Sequence, residues 1–215
     1  MNRTINLLLC ATILVGLWQF ARVQPKLAKL RSEHDRLADQ YGVLDIKDPE
    51  KFYVKNLPTE DEKDFLWRIY RPAGIQMGYR NEWGTGSSSS GKSSSRGAGE
   101  EVLRVRFVQV GSQLQTHFLR SGGASGGDVS DSKIAECMTN QWAKLEVETI
   151  ADGEYNVDEI MRLLTIRLPP PLVAELSKQK RGRRYERLAD TPLFEVSIGG
   201  DEAYAKDEKK QRDGS

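Results

Sequence analysis

The sequence predicts an α+β protein: an N-terminal transmembrane helix, an amphipathic helix next to it, then a small, mainly antiparallel sheet domain with few helices. Three observations carry that expectation. An uncharged apolar run lies between Arg3 and Arg22, a heptad stripe follows it, and short alternating runs fill the rest of the chain. The domain layout expected is an anchor at 4–21, a juxtamembrane helix at 24–42, a sheet domain at 43–200 and a disordered charged tail at 201–215.

The run TINLLLCATILVGLWQFA holds 18 residues without a formal charge, Thr4 to Ala21. As a helix it would measure about 27 Å, close to the hydrocarbon thickness of a bilayer. Trp18 and Phe20 stand where an interfacial aromatic belt would form. Cleavage as a secretory signal, releasing a secreted domain, is the alternative, but LWQFARVQP offers no A-x-A pattern. Cys10 comes too early in the run for a lipoprotein signal. A single-pass membrane protein is thus expected. Arg22, Lys26, Lys29, Arg31 and Arg36 on the far flank favour a cytoplasmic domain. The short N-terminal tail is the usual form of an N-in signal-anchor, and the balance tips to an extracytoplasmic domain.

Residues 24–42 read as a helix opened by Pro25 and closed by Gly42. Val23, Leu27, Leu30, His34, Leu37, Tyr41 and Leu44 fall at alternating spacings of four and three, a heptad seam. Leu27, Leu30, His34, Leu37 and Tyr41 are the candidate self-association seam of a homodimeric coiled coil. The same stripe would equally pack on the protein's own domain.

In the domain, Phe65, Trp67 and Ile69 alternate with Leu66, Arg68 and Tyr70 in a strand ending at Pro72. Leu103, Val105 and Phe107 oppose Arg104 and Arg106 in a second. After Gly111, the run Leu114, Thr116, Phe118 reads as its hairpin partner. Ala143 to Ile150 reads as a strand with Leu145 and Val147 inward. Asn156, with Glu159 at the capping-box position, predicts a short helix carrying Ile160, Leu163 and Leu164. A second helix is expected over Leu172 to Lys180 and a last strand over Leu193 to Ile198. The low-complexity stretches 84–99 and 121–132 read as flexible Ser/Gly-rich loops.

Gly86 to Ser93 matches the phosphate-loop pattern G-x-x-x-x-G-K-S. That chemistry needs an apolar strand before the loop and a helix after it. Tyr79 to Trp83 is no apolar strand, and the glycines at 97 and 99 oppose a helix. Nucleotide is therefore not expected, nor is any other cofactor. The charge balance, 32 Lys plus Arg against 31 Asp plus Glu, argues against nucleic acid. With Cys10 in the apolar run and Cys137 in the domain, no disulfide framework or Cys/His metal spacing exists. His117 and Cys137 form a conceivable base and nucleophile, without support from local sequence. Lys178, Lys180, Arg181, Arg183 and Arg184 form the candidate anionic-surface patch.

The function expected is a membrane-anchored interaction or scaffold protein whose partners are the bilayer, a second copy of itself and another protein. An anchored enzyme with a dispersed site is the alternative.

Overall fold

The computed structural model describes residues 42–92, 96–178 and 183–213, and before them only residues 20, 24–26, 30 and 32. The chain divides into two units, Met1–Val43 and Leu44–Ser215. In the first unit, the described positions before residue 42 are helical, and Leu30 is 68% exposed. Leu27, His34, Leu37 and Tyr41 lie outside the described residues, as does the run 4–21 apart from Phe20.

The second unit is built from eleven strands: β1 Phe52–Leu57, β2 Asp64–Arg71, β3 Met77–Trp83, β4 Ser88–Lys92, β5 Gly99–Val110, β6 Gln113–Arg120, β7 Gly123–Asp128, β8 Glu146–Thr149, β9 Gly153–Tyr155, β10 Met161–Arg167 and β11 Phe194–Gly200. They form a six-stranded sheet ordered β7-β6-β5-β2-β1-β9 and a five-stranded sheet ordered β4-β3-β11-β10-β8. Every pairing is antiparallel. The helices are α1 Ser132–Asn140, α2 Pro170–Ser177, α3 Arg183–Glu186 and α4 Asp201–Asp213.

This corrects the expected α+β class. The described chain is mostly antiparallel sheet with a few helices at its margins, and none of those helices is long and apolar enough to cross a membrane. The transmembrane and coiled-coil assignments find no support in it.

Alternation explains the central strands. On β5, Leu103, Val105 and Phe107 are buried while Arg106 is exposed, so every second side chain enters the core. Asp64, at the head of β2, is 5% exposed and accepts from Arg104 Nε at 2.8 Å, with Arg106 Nε at 3.8 Å. The two outward arginines of β5 thus neutralise a buried carboxylate on the neighbouring strand. Rings join the sheets: Phe107 on β5 meets Phe194 on β11 at 5.2 Å, near perpendicular.

Other elements depart from expectation for physical reasons. The helix expected from Asn156 is a turn, with Glu159 N–H donating to Asn156 O at 3.3 Å, followed by β10. A register shift between Arg162 and Leu164 lets both Leu163 and Leu164 be fully buried. Such a bulge breaks the period of two and mimics helical spacing. The two stretches read as flexible loops hold β4 and β7, each zipped to a side-chain-bearing neighbour, β3 and β6. The second stretch includes Asp131, the N-cap of α1, whose carboxylate accepts from Lys133 N and Ile134 N.

The charged tail is also corrected. Residues 201–213 form α4, whose Ala203 is 3% exposed and whose Tyr204 ring lies 4.7 Å from the Arg80 guanidinium carbon. Burial pushes the Tyr204 phenol up to about 12. A raised folded-state value means that this residue's contribution is fully present below the ordinary phenol value of about 10. It is lost as pH climbs through about 12. A difference titration of phenolate absorbance, wild type minus Tyr204→Phe, should show its midpoint near 12; a midpoint at the ordinary value would mean that α4 is not docked.

Candidate functional site

The two serine- and glycine-rich strands are both sheet edges, and they face each other across a groove. Each is the second arm of a hairpin. Before β4 the chain turns at Gly86 (φ +102), whose N–H donates to Trp83 O at 2.8 Å. Before β7 it turns tightly, with Gly122 N–H donating to Arg120 O at 2.7 Å. Neither strand has a second strand partner among the described residues. All six residues of β7 are exposed, and four of the five in β4. Such an edge presents unpaired N–H and C=O groups, and apart from Lys92 and Asp128 at their ends these two strands carry only Ser, Gly and Ala.

Because the rims carry mostly small side chains, the space between the sheet edges stays open. One cavity of about 190 Å³ is floored by Leu103, Phe118 and Val196, with Tyr79 and Arg120 at its side. A second, of about 200 Å³, is lined by Trp83, Thr116 and Phe118. Both include Asn81, Ser89, Phe118 and Ser125, so they run together as one groove.

Two polar features mark the groove. Thr116 is 4% exposed, and its Oγ1 has no hydrogen-bond partner. A buried hydroxyl left unmet costs about 1–3 kcal/mol, and Trp67 Nε1 and Ser177 Oγ are likewise without a partner. Arg120 is the second. Its guanidinium lies 5.1 Å from the Tyr79 ring centre and donates one hydrogen bond, to Lys92 O at 3.3 Å. No carboxylate among the described residues lies within ion-pair distance of it.

Tyr79 is held from beneath. Its hydroxyl donates to Glu101, which also accepts from Arg71 Nη1 at 2.5 Å. Burial, reinforced by that bond to the carboxylate, raises the Tyr79 phenol above its ordinary value. The ring under Arg120 is therefore fixed before any ligand arrives.

The sequence-derived candidates are scattered rather than brought together here. Lys92 lies on an edge strand, not a phosphate loop, and its Nζ pairs with Asp201 at 2.9 Å. His117 meets Gln115 Oε1 at 3.1 Å through Nε2, and Gln115 Nε2 donates to Asp128 Oδ1 at 2.9 Å. Cys137 is buried on α1, where burial first and Glu175 second push its thiol up, away from the nucleophilic thiolate. Of the basic cluster, Arg184 is committed to structure: it pairs with Asp131 at 3.5 Å and donates to Thr85 O at 3.2 Å. Lys178 is exposed at the end of α2, Arg183 opens α3, and Lys180 and Arg181 lie outside the described residues. Among the described residues no group of three or more His, Cys, Asp or Glu could hold a metal ion.

Thr116 was legible as an inward residue of β6, but its missing partner was not. Thr116→Val keeps the shape and removes the orphan hydroxyl. Unfolding by urea should show the variant unchanged or more stable, by up to about 1 kcal/mol. A loss above about 1 kcal/mol would instead reveal a hydrogen bond that Thr116 makes within the fold.

No family model matches the chain, and neither curated proteins nor solved structures give a match.

Proposed function

We propose that the 44–215 unit is a protein-interaction module of scaffold type that takes an extended polypeptide segment along the groove between β4 and β7. The observation that carries this is a groove whose two rims are strand edges, neither with a second strand partner among the described residues. An added strand satisfies edge N–H and C=O groups through its main chain, while side-chain pockets supply selectivity. Small rim residues suit such an occupant because they keep the backbone accessible. An enzymatic reading has less to rest on, since the Cys137 thiol is pushed up by burial and His117 is engaged by Gln115.

Panning a displayed random-peptide library on the full chain tests this. The expected result is a set of peptides that slow amide exchange across Gly123–Asp128 and bind about tenfold more weakly to Ser89→Trp, which fills the groove. Failure to enrich peptides, or peptides that bind both proteins equally and leave β7 exchange unchanged, would rule the groove out.

A further inference from the structure

We infer that the Arg120 end of the groove is a carboxylate subsite, so that the segment bound carries a carboxylate next to an aliphatic side chain. The inference rests on the interaction reading above and names the chemistry of its ligand.

Three features converge. Arg120 is an exposed guanidinium that donates one hydrogen bond among the described residues, to Lys92 O, which leaves most of its fork of N–H donors for a ligand. Its place over the Tyr79 ring, 5.1 Å from the ring centre, holds the guanidinium beside the cavity, and Arg can bind a carboxylate there through two parallel bonds. The cavity beside it has an apolar floor, with Leu103 at 3% and Val196 at 1% exposure. Its volume of about 190 Å³ equals that of about six waters, room for one branched aliphatic side chain.

The position of Thr116 adds a length. It lies four positions before Arg120 on β6, about 13 Å of strand. An extended segment with its carboxylate on Arg120 would therefore reach the groove wall at Thr116 some four residues back. A free C-terminus and an Asp or Glu side chain both supply the carboxylate, and the test separates them.

The probes are N-acetyl-leucine, its amide, and N-acetyl-glutamate α-amide, titrated into the isotope-labelled full chain. Spectra read the Arg120 Nε–H and the Leu103 and Val196 methyls. N-acetyl-leucine should shift all three, and its amide should bind about tenfold more weakly, the value of one charge-assisted contact. Arg120→Gln should abolish that difference with its other methyl resonances unmoved. Gly91→Leu is the second variant: a Cβ there sits 3.5 Å from Arg120 Nη1, so leucine blocks the mouth while the charge stays. It too should lose the acid. If the glutamate probe matches N-acetyl-leucine, the source is an acidic side chain; if it does not, a chain terminus. Equal binding of acid and amide, or undiminished binding to Arg120→Gln, overturns the subsite. Library peptides that still protect β7 would then leave the interaction reading standing.

Discussion

Replacing Glu101 by Ala is expected to lower the unfolding free energy by about 3–5 kcal/mol, because it removes a carboxylate that faces a buried cation. Arg71 is 3% exposed and gives Nη1 to Glu101 at 2.5 Å, with Nε and Nη2 donating to Gly97 O at 3.2 and 2.9 Å. The carbonyl can accept hydrogen bonds but cannot neutralise the charge. Tyr79 also loses its acceptor. The loss is mainly the penalty of a buried charge deprived of this carboxylate, not the net worth of the pair. Exchanging both partners, Arg71→Met with Glu101→Leu, removes that penalty along with the attraction. The double variant should therefore fall within about 2 kcal/mol of wild type, giving a large coupling in a double-mutant cycle. Urea denaturation of the four proteins at neutral pH decides it. A single Glu101→Ala loss below about 1 kcal/mol would mean that water reaches Arg71. The consequence reaches the groove, since Glu101 fixes the ring on which Arg120 rests.

The strands legible in the sequence were those whose side chains do the packing. Phe65, Trp67 and Ile69, or Leu103, Val105 and Phe107, announce a buried face by their spacing, and β2 and β5 follow it. The elements that were missed owe their conformation to something other than their own pattern. β4 and β7 contribute little or nothing to the core; backbone hydrogen bonding to β3 and β6 shapes them, and serine and glycine serve that as well as valine does. β10 hid behind a bulge that buries two adjacent leucines. α4 is polar around most of its surface and is placed by Ala203 and Tyr204, too few for a periodicity to register.

α1 did carry a signal. Asp131 as cap, then Ile134, Cys137 and Met138 on one face, is a short amphipathic helix attached to a glycine-rich tract. The groove was illegible for a different reason. Its rims come from tracts nearly forty residues apart, and only the sheet order brings β4 opposite β7. Arg120 looks like any strand-end cation until the lack of a nearby carboxylate can be seen. The basic cluster shows the converse, because adjacency in sequence did not predict that Arg184 would turn inward to Asp131.

Truncating Phe194 to Ala should cost about 3–5 kcal/mol, the range for a fully buried ring replaced by a cavity. Phe194 has 0% exposure and is the point at which the sheets lock together. Its ring centre lies 4.5 Å from Trp83 on its own sheet, and 5.2 and 6.2 Å from Phe107 and Phe118 on the other. Deleting it removes transfer energy and three aromatic contacts at once, and the surrounding rings are too large to collapse into the space. Leu119→Ala on β6 is the matched control: that side chain is 42% exposed, and its loss should stay within about 0.5 kcal/mol. Urea denaturation compares the two. Phe118 floors both cavities of the groove and loses its cross-sheet neighbour in the variant. Amide exchange in Gln113–Arg120 should therefore accelerate more than in β1, at the far side of the same sheet. If Phe194→Ala costs less than about 1.5 kcal/mol, the two sheets are not joined through this ring cluster, and the groove between their edges loses its floor.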